Sequence, residues 1–323
     1  MKTAAEKRKA VGAKGIALFV LLAALLFFFL KPHQQQISAE NQFSQLEVLE
    51  TIADNIVSGG PPKDGIPALT KPNAISREEA EDFLKDDDIV FGIAYNGFVR
   101  AYPQKIMYWH EIVNEDIDGQ KVSITFCPLT GSVIGYFGHF GVSGGLYNSN
   151  LVMYDKETES LWPQMLGQAV TGSRKGEKLM TIPVAVTIWK KWKALHSETT
   201  VISPNTGYDR NYNRNPYPGY EDFLRLWFPV AAESNLFSSK KWIVGIEHNG
   251  DYLAIPKEAV HDEMNITLGD DELSVKKTSL NTIEVTAKGK RVHSFEVYWF
   301  AWYAYHPRTK VLSPDVIKRS KSG

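Results

Sequence analysis

The chain has 323 residues, of which 43% are hydrophobic and 23% charged, and its formal net charge is −1. This length suffices for one large domain or two ordinary ones after an N-terminal segment is set aside. The near-neutral charge argues against nucleic acid as the main partner, because phosphate binding requires a strong basic excess. Aromatic residues make up 12% of the chain, which suits a packed β-rich core and also a concave ligand site.

The N-terminus indicates export. Residues 16–30 are continuously apolar, and adding residues 11–15 gives the roughly 20 residues that a membrane-spanning helix needs. Basic residues dominate the preceding segment, so the positive-inside rule places the N-terminus in the cytoplasm and the bulk of the chain outside. A cleaved signal peptide is the alternative. We predict a cytoplasmic tail at 1–14, a single-pass anchor in the cell membrane at 15–31, and a stalk at 32–58.

The stalk is polar and weakly helical around residues 42–56, and it ends at the break Gly59-Gly60-Pro61-Pro62. Ser76 and Glu79 have the spacing of a capping box, which predicts a short helix ending near Lys85.

An internal repeat follows the capping box. Val90–Pro103 aligns without gaps to Ile243–Pro256, and each copy carries an Asn-Gly pair between apolar runs. This pair is typical of a type I′ hairpin, because that turn needs positive φ at both central residues. Further strands are predicted after each copy, so a duplication is the simplest explanation.

Five other segments carry further predicted elements. We predict a strand at 131–137, a turn in the glycine-rich stretch 140–145, an amphipathic helix at 187–196 and a long tyrosine-rich loop at 204–222. The dense aromatic run 295–305 predicts a strand buried on both faces.

The elements together indicate an α+β fold that is predominantly β. We predict two β-rich lobes that arise from the duplication. The first lobe spans 59–230 and holds the candidate site, and the second spans 231–323 as a partial repeat of 90–134.

Cys127 is the sole cysteine of the chain and precedes Pro128 where a strand meets a turn. Outside the cytoplasm cysteines usually occur as disulfides, so a lone one is either buried and inert or retained for thiol or metal chemistry. His110 could activate the thiol, with Glu111 or Asp155 orienting the ring. The second copy of the repeat lacks both the thiol and the histidine, which favours a function for them in the first lobe. The predicted catalytic residues are Cys127, His110 and Glu111.

Two other kinds of site remain open from the same region. A soft ligand set suited to copper or zinc would consist of Cys127, His110, His139 and Met153, although the spacing matches no metal motif. A polar pocket for a small-molecule ligand would use an arginine as an anion clamp and nearby amide and carboxylate side chains. Its predicted members are Arg100, Asn114, Asn148, Asn150, Asp155 and Gln164.

A series of motifs runs in order along the chain: Gly59–Ala68, Arg100–Pro103, His110–Asn114, Cys127–Gly131, Phe140–Gly144, Leu146–Asn150, Met153–Asp155, Ser160–Trp162 and Trp299–Trp302. Through these motifs the chain resembles domain-of-unknown-function family 3179, from about residue 57 to about residue 315. Thr130 lies where the family pattern has Cys or Thr. The resemblance implies the domain and its compartment, and it implies no reaction or cofactor.

Three functions therefore compete. The chain is a thiol-dependent enzyme, a non-catalytic module that binds a small ligand or a metal, or a structural component of the cell envelope in which Cys127 only packs.

Overall fold

The computed structural model describes residues 45–223 and 225–312. The chain divides into two compact units, Met1–Thr51 and Ile52–Gly323. In the first unit the described residues 45–51 are helical, as the pattern of the stalk predicts. The predicted anchor and cytoplasmic tail lie outside the described residues. Within the described part of the chain, no helix is both long enough and apolar enough to cross a membrane.

Short β-strands dominate the described residues of the second unit. In chain order the strands are β1 (Val57–Ser58), β2 (Leu69–Thr70), β3 (Ala74–Ser76), β4 (Ile89–Tyr95), β5 (Phe98–Pro103), β6 (Ile112–Ile117), β7 (Gln120–Cys127), β8 (Ser132–Phe137), β9 (Phe140–Tyr147), β10 (Asn150–Asp155), β11 (Leu161–Pro163), β12 (Thr181–Ile182), β13 (Ala185–Ile188), β14 (Thr200–Ile202), β15 (Trp242–His248), β16 (Asp251–Pro256), β17 (Glu263–Leu268), β18 (Asp271–Lys277), β19 (Ile283–Ala287), β20 (Lys290–Arg291), β21 (His293–Tyr298) and β22 (Lys310–Val311). The helices are α1 (45–54), α2 (Arg77–Ala80), α3 (Gln104–His110), α4 (Trp189–Leu195) and α5 (Trp299–Tyr305), together with the 3-10 turn Lys257–Ala259.

These strands form five sheets within the described residues, and the sheets are arranged as a five-bladed β-propeller. The strand orders are β1-β9-β10-β11, β12-β8-β7-β6-β2, β13-β4-β5-β14-β3, β21-β15-β16-β22 and β17-β18-β19-β20. Strands account for 41% and helices for 14% of the structure, which confirms the prediction of a predominantly β fold. The division into two lobes stays a prediction.

The repeated sequence forms two hairpins with the same register. Gly92 lies opposite Ala101 in the pair β4–β5, and Gly245 lies opposite Ala254 in the pair β15–β16. The turn residues have positive φ angles in both copies: 48° and 78° at Asn96-Gly97, and 51° and 84° at Asn249-Gly250. These angles are the ones that a type I′ turn requires, so the predicted hairpins are confirmed.

The structural equivalence extends further than the sequence repeat. A short helix packs on each hairpin and places a tryptophan ring where the glycine leaves room: a Cβ on Gly92 would lie 2.2 Å from Trp192, and one on Gly245 would lie 2.3 Å from Trp302. Helices α4 and α5 therefore occupy equivalent places on β4–β5 and β15–β16.

The predicted strand at 295–305 is shorter in the structure than in the prediction. The run 295–305 is a strand only as far as Tyr298, so the prediction of a strand is wrong for α5. β21 pairs with β15 as far as Trp242↔Tyr298, and Trp242 is the first residue of β15, so the ladder ends there. In α5 the consecutive residues 299–302 are all buried, so the helix is covered on more than one face.

Two smaller predictions also differ from the structure. The amphipathic helix begins at Trp189 rather than at 187, because 185–188 pairs with β4. The glycine-rich stretch 140–145 is part of β9 and not a turn. Its glycines permit close packing, since a Cβ on Gly141 would lie 2.4 Å from the ring of Tyr154. The capping box at Ser76 is present, and α2 ends at Ala80, earlier than predicted.

Candidate functional site

Cys127 is the last residue of β7 and precedes a tight turn, as predicted. It pairs with Ser132 of β8, and the amide of Gly131 donates a hydrogen bond to the Cys127 carbonyl at 2.9 Å. The thiol is 2% exposed, and its Sγ accepts a hydrogen bond from the amide of Leu151 at 3.4 Å. Burial, and next the charge of Glu111, raise the pKa of Cys127 to about 11. The thiol is therefore neutral at pH 7, and this environment does not favour an activated thiolate.

Glu111 follows α3 directly and has a positive φ of 55°. Its carbonyl accepts a hydrogen bond from the amide of Phe126 at 2.7 Å, which holds the residue next to the end of β7. The side chain is 6% exposed, and its Oε1 accepts a hydrogen bond from the Tyr217 hydroxyl at 2.7 Å. Burial raises the pKa of Glu111 to about 7, against the opposing effect of the Tyr217 hydrogen bond. The carboxyl therefore changes charge near neutral pH, which is the property that a general acid–base group needs.

A segment without helix or strand lies against this pair. We call residues 203–223 the aromatic cover. Its side chains and backbone hydrogen-bond to α3, to Glu111 and to the turn after β7, in the pairs Tyr217–Glu111 (2.7 Å), Tyr220–Leu129 (3.0 Å), Arg214–Trp109 (3.0 Å) and Glu221–Tyr108 (2.9 Å). Tyr220 and Cys127 pack in the same buried cluster, and burial, followed by the Cys127 sulfur, raises the pKa of Tyr220. Long ordered loops of this kind often cover functional sites.

A fully buried network of amides and hydroxyls surrounds the turn after Cys127. Its members are Thr125, Thr130, Ser132, Asn150 and Gln164. The Asn150 amide and the Ser132 hydroxyl both donate to Gln164 Oε1, at 2.8 and 2.6 Å, and the Gln164 amide donates to Thr125 at 2.9 Å. The predicted ligand residues Asn150 and Gln164 thus come together, but they bond to each other and to the turn. A fully paired buried network of this type fixes the geometry around the thiol.

His110 does not form a hydrogen bond with Cys127. Its Nδ1 is 2.7 Å from the carbonyl oxygen of Pro67, and its Nε2 is 2.8 Å from the hydroxyl of Tyr212. Burial lowers the pKa of His110. His110 is the last residue of α3, and Glu111 follows the helix with a positive φ, so the two side chains are directed to different neighbours. The pairing of His110 with the thiol stays a prediction.

Arg100 and Asn114 also have protein partners. The Arg100 guanidinium donates to Glu115 at 2.8 Å and to Thr200 at 3.0 Å. The Asn114 side chain bonds to both backbone groups of Phe140, each at 2.9 Å, and so joins β6 to β9. These contacts place both residues in links between strands.

Asn148 and Asp155 likewise hold the backbone in place. The Asn148 amide donates to the carbonyl of Ala304 at 3.1 Å. Asp155 accepts hydrogen bonds from Trp162 at 3.0 Å and from the amide of Thr158 at 2.7 Å. Burial raises the pKa of Asp155, but these hydrogen bonds outweigh it, so the pKa is lowered.

The two histidines among the predicted metal ligands form hydrogen bonds within the protein. His139 Nε2 is 2.9 Å from the carbonyl oxygen of Glu115, and the two ring nitrogens of His110 are occupied as described. Met153 is fully buried and packs in the same core cluster as Cys127. Among the described residues, no group of three or more His, Cys, Asp or Glu side chains is placed to hold a metal ion.

The sequence singled out 204–222 as a tyrosine-rich loop, but none of its tyrosines was among the predicted site residues. Tyr217 contacts Glu111, and Tyr212 contacts His110. The signal available was the tyrosine-rich composition of 204–222, which predicted a loop. Composition alone does not tell which buried group each ring contacts.

Comparisons with known proteins agree with the motif series. No curated protein and no solved structure matches the chain. The profile of a family described as "Protein of unknown function (DUF3179)" matches residues 63–293, which is more than half of the chain. The matched range includes Glu111, Cys127 and the aromatic cover. The chain therefore belongs to the DUF3179 family.

Proposed function

We propose that the chain is a membrane-anchored, extracytoplasmic enzyme that acts on a small molecule, with Glu111 as its general acid–base group. The anchor and the compartment rest on the apolar run at 16–30 and the basic residues before it. The catalytic assignment rests on the buried pair of Glu111 and Cys127 beneath the aromatic cover.

One observation carries this proposal: a buried carboxyl with a pKa of about 7 lies beside the sole thiol of the chain and under an irregular segment. Structural carboxylates in proteins are usually paired with a cation, as Glu115 is with Arg100. The only hydrogen bond to the Glu111 side chain within the described residues is the neutral one from Tyr217. A carboxyl held in this way can donate a proton below pH 7 and accept one above it.

Cys127 has a supporting role in this scheme. Its pKa of about 11 keeps the thiol neutral at pH 7, so it adds no charge next to Glu111. A thiolate there would raise the pKa of Glu111 further by repulsion between like charges. Asn150, which donates to Gln164, also donates a hydrogen bond to Thr130 in the turn that follows the thiol.

The aromatic cover must move for a substrate to reach Glu111. Opening breaks the hydrogen bond from Tyr217, whose hydroxyl occupies the place next to the carboxyl. A substrate that takes this place also keeps water away from Glu111, so the raised pKa is retained in the complex. A hydroxyl or amide N–H on the substrate can replace the phenol as the donor to Oε1.

The test is turnover by the full chain on a panel of chromogenic esters, thioesters, amides and glycosides between pH 5 and 9. We expect a kcat/KM profile with an inflection near pH 7 that Glu111→Gln abolishes. Cys127→Ser is the matched variant, and we expect it to keep turnover. Loss of turnover in Cys127→Ser with retention in Glu111→Gln would instead support a thiol nucleophile. Absence of turnover on the whole panel, or a Glu111 carboxyl that titrates near 4.5, contradicts the proposal.

A further inference from the structure

Two exposed aromatic rings lie at the C-terminal end of the aromatic cover. Phe223 is 56% exposed and Trp227 is 46% exposed. Both lie against two consecutive residues: the Trp227 ring is 4.8 Å from the ring of Tyr220, and a Cβ on Gly219 would lie 3.4 Å from Phe223. We call Phe223 and Trp227 the apolar rim. Exposed aromatic rings that lie together are typical of surfaces that bind a protein or a membrane.

The direction in which the chain enters the second unit is set by β1. This strand pairs with β9 in antiparallel register, with Val57 opposite Leu146. The chain on the N-terminal side of Val57 therefore leads toward the end of β9 and the turn Asn148-Ser149, which joins β9 to β10. Leu146 is only about 10 Å along the chain from Ser149, at the rise of a strand. The entry point of the chain lies beside this turn.

The same turn holds the segment that carries the apolar rim. Asn148 accepts a hydrogen bond from the amide of Ala231 at 2.8 Å, and the Ser149 hydroxyl donates to the carbonyl of Phe228 at 2.8 Å. Phe228 directly follows Trp227. The entry point of the chain and the apolar rim therefore lie on the same edge of the second unit.

The charges of the segment around the rim cancel. Residues 221–241 carry three acidic and three basic side chains. One of the basic groups, Lys240, donates to the carbonyls of Tyr220 and Phe223 and so is engaged within the protein. The segment thus has no excess charge with which to attract an acidic partner. Tryptophan and other aromatic rings favour the boundary between lipid headgroups and acyl chains, which requires no charge complementarity.

We propose that the apolar rim docks on the extracytoplasmic surface of the phospholipid bilayer. This inference rests on the membrane anchor of the proposed function. About 20 residues separate the predicted anchor from Ile52, where the second unit begins. A short tether gives an effective local concentration on the order of mM, so that weak apolar contact suffices for docking.

Docking has a consequence for the candidate site. Trp227 stacks on Tyr217 with 6.1 Å between the ring centres, and Tyr217 donates to Glu111. Contact between lipid and the rim therefore acts on the residue that covers Glu111. The docked chain holds its candidate acid–base group close to the membrane surface.

The experiment places the full chain, labelled with fluorotryptophan, in phosphatidylcholine nanodiscs. Part of the lipid carries a nitroxide on its headgroup, which broadens the fluorine NMR signals of nearby tryptophans. The variant Trp227→Phe assigns the signal of Trp227. We expect this signal to be broadened more than that of the buried Trp192. The broadening should persist at high salt, because apolar contact is not screened.

A second variant tests the rim while Trp227 remains as the reporter. Phe223→Ser should lower the ratio of docked to undocked chain about fivefold, because about half of a phenylalanine side chain no longer leaves water on docking. The matched control is Leu195→Ser on α4, since Leu195 is also 56% exposed. This control should leave the broadening of Trp227 unchanged. Urea unfolding of both variants checks that they fold.

A chain that stays in the nanodisc with Trp227 no more broadened than Trp192 overturns the proposal and leaves the anchor and the enzyme standing. Equal broadening in the wild type and in a folded Phe223→Ser variant also overturns it. A Trp227 signal that responds to chain concentration, but not to nitroxide lipid, would show that a second copy covers the rim and would overturn it as well.

The remaining outcomes separate this inference from the proposed function. Docking without turnover on any substrate refutes the enzyme alone. A chain that does not stay in the nanodisc refutes the anchor, and the docking with it.

Discussion

Replacing Glu111 with glutamine should remove a specific dependence of stability on pH. Burial raises the pKa of Glu111 from the ordinary value of 4.5 to about 7 in the folded chain. The fold therefore favours the protonated carboxyl. Its contribution to stability is fully present below pH 4.5 and is lost as the pH rises to about 7. The free-energy difference is about 3 kcal/mol, at about 1.4 kcal/mol for each pH unit between the two pKa values.

The assay is urea unfolding of the full chain at intervals from pH 4.5 to pH 8. Between these limits the unfolding free energy of the wild type should fall by about 3 kcal/mol more than that of Glu111→Gln, because the amide stays neutral throughout. Glu272→Gln, at an exposed position, is the matched control and should follow the wild type. Parallel curves for the wild type and Glu111→Gln would refute the assignment of a raised pKa to this carboxyl.

Three further predictions concern Tyr217, Cys127 and Gly245. Tyr217→Phe removes the hydrogen bond that lowers the pKa of Glu111, so the pKa should rise above 7, as carbon NMR of the labelled carboxyl would show; an unchanged pKa would mean that the bond is not formed in solution. Cys127 should react with iodoacetamide at pH 7.5 about 100-fold more slowly than a free thiol, because both its thiolate fraction and its access are low, and equal rates would contradict its burial. Gly245→Ala should cost about 1–3 kcal/mol in urea unfolding, because the new methyl group would overlap Trp302; a cost near zero would mean that the helix shifts freely.

The hairpins could be predicted because their signal is local. Asn96-Gly97 and Asn249-Gly250 satisfy the dihedral angles of a type I′ turn, and the flanking apolar residues set the register. The equivalence of α4 and α5 was missed, because the two tryptophan helices lie at different distances along the chain from their hairpins. The two helices are shown to correspond only by their packing, because Trp192 lies on Gly92 as Trp302 lies on Gly245.

The candidate site, like the fold, could be predicted only in part. The sequence drew attention to Cys127 and His110 because the second copy of the repeat lacks them, and to Glu111 as a group that could orient the imidazole. The sequence could not tell which of these residues acts as the acid–base group, because His110 and Glu111 are adjacent in the chain but contact different neighbours in the structure. The role assigned to Glu111 depends on Tyr217, a contact between residues 106 positions apart.

By itself, the sequence determined a predominantly β fold, two type I′ hairpins, membership of the DUF3179 family and the position of Cys127 at a strand end. These features depend on residues close together in the chain or on ordered motifs. The tertiary structure decided the five-sheet arrangement, the burial of Cys127 and the pKa of Glu111, because burial and charge depend on groups brought together from distant segments.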